Sequence, residues 1–211
     1  VVDRVKKVRE FRLNCPSPDT NHYADKPTYP VRLMYYSEER NNPALALPKV
    51  SSQNRRYIPM EVIDADVIAG SKLFLIPDIS LYHFGVLTSN VHMAWMRTVC
   101  GRLKSDYSYA SNVVYNTFPW PIPTEQQKQK IAQTAQAILD ARASYPNNSL
   151  AELYDEVMMP PELRKAHHQN DMAVMQAYGF TKGSEAYKSE AACVAELMKL
   201  YQKKVEEIEK S

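Results

Sequence analysis

The stretch Pro119–Pro123, read PWPIP, constrains this chain more than any other feature. Each proline fixes its own backbone and restrains the residue before it, so neither a helix nor a central strand runs through the bridge. The pattern differs on its two sides. Before the bridge, short apolar runs at Arg32–Tyr36, Arg56–Ile63, Lys72–Ile76, Phe84–Leu87 and Val113–Phe118 are punctuated by Pro, Asn, Asp and Ser, and they predict short strands and loops. One helix is expected there, over residues 89–103, where Val91, Trp95, Met96, Val99 and Leu103 recur at helical spacing. The first residues also read as helical, and segment 15–30 as a loop.

After the bridge the period is that of a helix throughout. Thr124 with Gln127, and Ser149 with Glu152, match the capping box. Pro160 and Pro161 suit a helix start, and Gly179 a helix stop. Tyr187, Ala191, Val194, Met198, Tyr201, Val205 and Ile208 form a heptad-like seam. The expected fold class is α+β: a mixed, strand-containing domain over residues 1–121, then a helical bundle over 122–211.

Charge divides along the same line. Residues 1–121 hold 15 Lys/Arg against 11 Asp/Glu, and residues 122–211 hold 11 against 13. The first part is therefore the better candidate to meet phosphate, although solvated surface charge gives the same balance. Cys15, Cys100 and Cys193 are far apart and form no CxxC, which fits a reducing cytoplasm and argues against a disulfide framework or zinc site. No run of 18 apolar residues predicts a membrane span, and the N-terminal residues carry no hydrophobic signal core. The chain begins without Met and inside a helical pattern, so we expect a piece of something longer.

Catalytic motifs are missing. The sequence contains no GxGxxG, GxxxxGK[ST], HExxH or GxSxG, and its five glycines leave little for a phosphate-cradling loop. His167, His168 and Asp171 lie one helical turn apart, but two ligands without a third make a weak metal site, and a polar helix face is the expectation. His92, near Trp95 and Met96, reads as a packed histidine rather than a general base.

Two stretches carry binding chemistry. In SSQNRRYIPM the hydroxyls Ser51 and Ser52, the amides Gln53 and Asn54, and Arg55, Arg56 and Tyr57 are residue types that contact phosphate and sugar, although a strand-entry loop with solvated arginines has the same composition. In the segment from His92 to Pro121, Arg97, Arg102 and Lys104 precede the polar, aromatic loop of Asp106, Tyr107, Ser108, Tyr109, Ser111 and Asn112. Such alternation suits a DNA backbone and base edges. Lys72, after Gly70 and Ser71, joins the backbone candidates, with Ser51, Ser52 and Asn112 as neutral helpers. Lys104 and Asp106 are separated by one residue and are expected to point the same way in an extended loop, with Ser108 on the same face. As a pair they suit one G·C base pair, Lys donating to guanine and Asp accepting from cytosine. The alternative is an exposed salt bridge worth ~0–1 kcal/mol. Arg102, next to Gly101, is the candidate most suspected of a structural role.

The pieces SSQNRRYIP, FGVLTSNVHMAWMRTVCGRLKSDYSYASNVVYNTFPWP and ILDARASYPNNSLAELYDEVMMPPELRKAHHQNDMAVMQAYGF together resemble the C-terminal part of MmeI-like DNA methyltransferases, the type IIL restriction-modification family. The resemblance covers most of residues 50–181. It implies a target recognition domain for double-stranded DNA followed by a helical C-terminal domain. It also implies an upstream adenine-N6 methyltransferase domain that binds S-adenosylmethionine, in a bacterial, cytoplasmic enzyme. No NPPY-type tetrapeptide occurs here, so no catalytic or cofactor residue is assigned to this chain. Two other classes compete: a protein-interaction scaffold whose helical tail docks other subunits, and a hydrolase using His92 and Asp106.

Overall fold

A computed structural model describes residues 1–27, 41–67 and 69–210. The expected strand at Arg32–Tyr36 lies outside these residues. Helix α1, Val2–Leu13, is followed by a five-residue helix α2, Pro18–His22, whose N-cap Ser17 accepts from the Thr20 N–H. This short helix falls within the segment expected to be loop.

Two small antiparallel sheets follow. The first has β1 (Ala44–Pro48) between β3 (Glu61–Ile63) and β4 (Leu73–Pro77). The second orders β2 (Val50–Ser51), β6 (Asp106–Ser108) and β5 (Gly101–Leu103). As the central strand, β1 is covered on both faces, and Ala44, Leu45, Ala46 and Leu47 are all buried. Lys49 joins the sheets: its N–H donates to Lys72 O at 2.9 Å, and its carbonyl accepts from Tyr109 N at 2.8 Å.

Two expected strands are helical instead. Phe84–Leu87 lies in α3, Leu81–Leu87, capped by Ser80 and His83. The run is buried on every side, so no polar face shows its period. Val113–Phe118 begins in a single π-helical turn, Ser111–Tyr115. Of Arg56–Ile63 only the last three residues pair as a strand, whereas Lys72–Ile76 is matched by β4. The expected helix over 89–103 is α4, Asn90–Val99. It stops short of Leu103, which lies in β5 and is 57% exposed.

Beyond the bridge the described elements are helices only: α5 (Glu125–Ala143), α6 (Leu150–Leu153), α7 (Pro161–Ala177), a 3-10 turn (Glu185–Tyr187) and α8 (Glu190–Glu209). Both predicted capping boxes form, at Thr124 with Gln127 and at Ser149 with Glu152. Gly179 adopts φ +75°, and Phe180 N bonds Met175 O while Gly179 N bonds Gln176 O. That is the Schellman arrangement, which requires a left-handed residue at the Gly179 position. In α8 the buried positions are Cys193 and Leu197, one residue off the expected seam; of the seam itself Met198 and Tyr201 pack half-buried against the core, while Ala191 is exposed and Ile208 is 73% exposed.

These helices pack both on one another and on the recognition side. α5 packs on both α7 and α3, and α8 packs on α4. One hydrophobic core runs across the bridge, from Leu45 and Trp95 to Ile138 and Leu197. Burial on this scale is the main force joining the two sides. No helix among the described residues is long and apolar enough to cross a membrane.

Candidate nucleic-acid interface

Strands β5 and β6 form a hairpin. The pair Leu103↔Asp106 closes it, leaving Lys104 and Ser105 as a two-residue turn. Lys104 has φ +57°, a left-handed conformation that side chains rarely adopt. The extended loop expected here is therefore a tight turn. Lys104 sits at its exposed tip, and Asp106 is the first residue of the returning strand. Alternation along β6 puts Asp106 and Ser108 on one face and Tyr107 on the other. Tyr107 is 8% exposed, and the Arg102 guanidinium stacks on its ring at 4.0 Å. Arg102 Nη1 also donates to Ser105 O at 3.0 Å, so this side chain braces the turn.

The hairpin is tied to the first binding stretch. Val50 and Ser51 pair with Ser108 and Tyr107, and Gln53 N donates to Asp106 Oδ1 at 3.3 Å. The loop tightens through Arg55 N to Ser52 O at 3.2 Å, and Ser52 Oγ accepts from Asn54 N at 3.3 Å. The candidates are thus not equivalent. Arg55 is half-buried, with no side-chain hydrogen bond or ion pair among the described residues, and Arg56 is exposed beside the Tyr57 ring. Ser51 is 3% exposed, and its Oγ has no partner among the described residues. Arg97 is committed inward: its guanidinium meets Glu190 at 2.9 Å and donates to Arg56 O. Lys72 and Asn112 are exposed, and Lys72 is held beside Lys49 by the backbone bond described above. Sequence reasoning missed Lys49, which only strand pairing brings to this surface.

It also missed a buried polar network. Segment Arg56–Glu61 has little regular structure before β3, so its polar groups need partners from elsewhere. Ile58 N donates to Met93 Sδ, and Arg142 Nη1 donates to Met60 O at 2.7 Å. Tyr57 Oη donates to Asp171 Oδ2 at 2.7 Å, and Asn90 N donates to Asp171 Oδ1 at 2.8 Å. A carboxylate at the start of α4 also answers the positive end of that helix. Burial pushes the Asp171 carboxyl up to about 6, against the pull of Tyr57, Asn90, Arg56 and His168.

The His167 ring stacks on Tyr57, centroids 4.1 Å apart. Arg142 donates to Tyr154 Oη, which leaves that hydroxyl's own hydrogen for His167 Nε2 at 2.8 Å. The proton of neutral His167 is then on Nδ1, which has no partner among the described residues. Burial and the nearby Arg142 and Arg56 charges lower the His167 pKa well below its ordinary value. The expected polar helix face is a buried clamp: His167, Asn170 and Asp171 face the recognition side, while His168 is exposed. No group of three or more metal-ligating residues stands together among the described residues.

His92 is fully buried. Its Nδ1 donates to Leu87 O at 2.8 Å, and Nε2 accepts from Tyr109 Oη at 3.1 Å. Burial pushes its pKa down to about 4. Neither nitrogen is free to take a substrate proton, which removes the structural basis for a hydrolase using His92 and Asp106.

Residues 1–122 match the family model of the MmeI target recognition domain, and residues 123–209 match that of the MmeI C-terminal domain. DNA methyltransferase A of Bacillus subtilis (strain 168) is 39% identical over 170 residues, covering 81% of this chain and 19% of the relative. A solved structure of the type IIL restriction-modification enzyme MmeI in complex with DNA superposes with a TM-score of 0.81 at 42% identity, covering 96% of this chain and 26% of that one. The chain thus spans about a fifth to a quarter of the length of these relatives. On these matches the chain belongs to the MmeI family, carrying its target recognition domain and then its C-terminal domain.

Proposed function

We propose that this chain reads the double-stranded DNA target of a site-specific adenine methyltransferase of the restriction-modification type. Base reading is assigned to Lys104, Asp106 and Ser108 on the β5–β6 hairpin. Backbone contact is assigned to Arg55, Arg56 and Lys72, with Ser52 and Asn112 as neutral partners; Arg97, Arg102 and Ser51 support that surface from behind. Methyl transfer and the S-adenosylmethionine site belong to an upstream methyltransferase domain of a longer, cytoplasmic bacterial chain.

The observation that carries this reading is Lys104. A long cation is held at φ +57° at the tip of an exposed hairpin, inside a region matching a target recognition domain. Left-handed backbone at a non-glycine residue costs about 1–2 kcal/mol, and such strain gathers where a side chain must be aimed. The competing scaffold reading has less support, because the inner faces of α5, α7 and α8 are already occupied by the recognition side.

The test is duplex binding by the intact enzyme across a salt series. A log–log slope of several units, falling by about one for each phosphate contact removed, supports DNA reading. Salt-independent or absent duplex binding rejects it.

A further inference from the structure

We infer that Asp171 is a positioning residue for DNA recognition, acting through Tyr57 to fix the loop that carries Arg55 and Arg56. The inference rests on the DNA-reading function proposed above and adds a role for the C-terminal domain.

The loop has few supports of its own. Between β2 and β3 it holds itself by the Ser52–Arg55 turn, Gln53 N reaches Asp106 Oδ1 of β6, and the remaining ties described above come from helices. Asp171 of α7 takes the Tyr57 hydroxyl, Arg142 of α5 takes Met60 O, and Arg97 of α4, paired to Glu190 of α8, takes Arg56 O. Two of these anchors stand beyond the bridge, and the third is braced by a residue from there. Tyr57 and Asp171 are 3% and 2% exposed, so their bond is shielded from water. A shielded charged hydrogen bond is stronger than an exposed one, and leaving either partner alone is costly.

The same carboxylate holds Asn90 N through its other oxygen. Asp171 therefore ties the loop to the start of α4, the helix whose exit leads into the base-reading hairpin. The backbone-contacting loop and the hairpin are set in one frame by a residue 65 positions beyond Asp106 in the chain. A cavity of about 360 Å³ between α4, α7 and α8, lined by Arg56, Asn90, Asp171 and Glu190, lies beside this junction. It leaves Arg56 beside open space, so while Tyr57, Ile58 and Met60 pack in the core, the Arg56 end of the loop rests on its hydrogen bonds.

Three variants of the intact enzyme test this. Tyr57→Phe keeps the ring stacked on His167 and removes only the tie to the loop. Asp171→Ala removes that tie and the bond to Asn90. Asp171→Asn can still accept from Asn90 N and donate to Tyr57 Oη, so it serves as the rescue. Amide hydrogen exchange is expected to rise over residues 52–57 in Tyr57→Phe and Asp171→Ala. It rises at the start of α4 in Asp171→Ala alone, stays low over Ile131–Ile138 in both, and returns toward wild type in Asp171→Asn. Binding to a mixed-sequence duplex weakens several-fold in the first two variants, with a salt slope reduced by about one.

Unchanged exchange over 52–57 overturns the inference whatever the DNA result. Raised exchange with unchanged affinity and slope overturns the positioning role and leaves DNA reading standing. Absent duplex binding by the wild-type enzyme overturns DNA reading, and positioning for DNA falls with it.

Discussion

Asn170 Nδ2 donates to the carbonyl of Gly85 at 2.7 Å, a bond from the C-terminal domain to the recognition side. It is possible because α3, α5 and α7 meet at a glycine. A Cβ at position 85 would lie 2.6 Å from Ile131 Cγ2, 3.0 Å from Asn170 Oδ1 and 3.2 Å from Ala135 Cβ.

Gly85→Ala therefore sets two effects against each other. Helix propensity favours alanine by about 1 kcal/mol. Overpacking against three buried neighbours costs about 1–3 kcal/mol, and the approach to Ile131 is closer than real contacts allow. Overpacking should win. The urea midpoint of Gly85→Ala is expected to fall; a rise would mean that the helices separate more easily than their packing suggests.

The pH dependence of stability follows from the buried titratable groups. Burial lowers the His92 pKa to about 4, so the unfolded chain takes up this proton first as pH falls. The contribution is fully present above about pH 6.5 and is lost on the way to pH 4, on the order of 3 kcal/mol. His167 acts in the same direction. Asp171 opposes them: its pKa is raised from 3.8 to about 6, so its contribution is present below the lower value and is lost as pH rises through the upper one. Two histidines outweigh one carboxyl, and stability should increase with pH across this window. His92→Gln should flatten that increase and Asp171→Asn should steepen it, read from urea midpoints at several pH values. A His92 imidazole signal that titrates near its ordinary pKa would contradict the buried, neutral ring.

Much of the helical part was legible because its signals are local. Thr124 with Gln127, Ser149 with Glu152, and Gly179 are each read within a few residues, and each forms as expected. The run Phe84–Leu87 misled because complete burial erases the polar face that reveals a helical period. Its cap was written as Ser80 with His83, a pairing outside the usual Glu or Gln form. The candidate site is marked by composition and less so by geometry. Lys104 and Asp106 could be picked by residue type, whereas the left-handed turn between β5 and β6 carries no glycine to announce it. The spacing of His167, Asn170 and Asp171 showed a shared helix face. That this face is buried depends on Tyr57 and Gly85, more than 80 residues away in sequence.

The basic candidates should separate by experiment. Arg55 and Lys72 have no side-chain partners among the described residues, so replacing either with alanine should leave the unfolding free energy within about 0.5 kcal/mol of wild type. Each change should weaken binding on every sequence alike and lower the salt slope by about one. Arg102→Ala removes the stack on Tyr107 and the bond to Ser105 O, so it should loosen the hairpin and lower stability with little change in slope. Equal slopes in Arg55→Ala and wild type would remove that loop from the phosphate-contacting surface.

The hairpin tip gives the sharpest expectation. Lys104 and Asp106 carry opposite charges beside one turn, an arrangement poorly suited to phosphate because the carboxylate repels it. It suits a G·C pair, whose major-groove edge offers acceptors on guanine and an amino donor on cytosine. The doubly substituted enzyme, Lys104→Glu with Asp106→Arg, should change its preferred base pair at one position and leave the others alone, a discrimination of about 1–3 kcal/mol. Methylation of a library of target sequences reads this directly. Lys104→Gly separates reading from folding. Glycine accepts φ +57° without strain, so this variant should be as stable as wild type or more so by about 1 kcal/mol. It should still lose discrimination at that position. If Lys104→Gly keeps its full preference, or if the double substitution lowers methylation equally on every sequence, the pair serves the turn rather than the bases. Because Asp106 Oδ1 also accepts from Gln53 N, Asp106→Asn is the matching control. It retains an acceptor for Gln53 and adds an amide donor beside Lys104, so it should weaken the cytosine preference while leaving the loop in place.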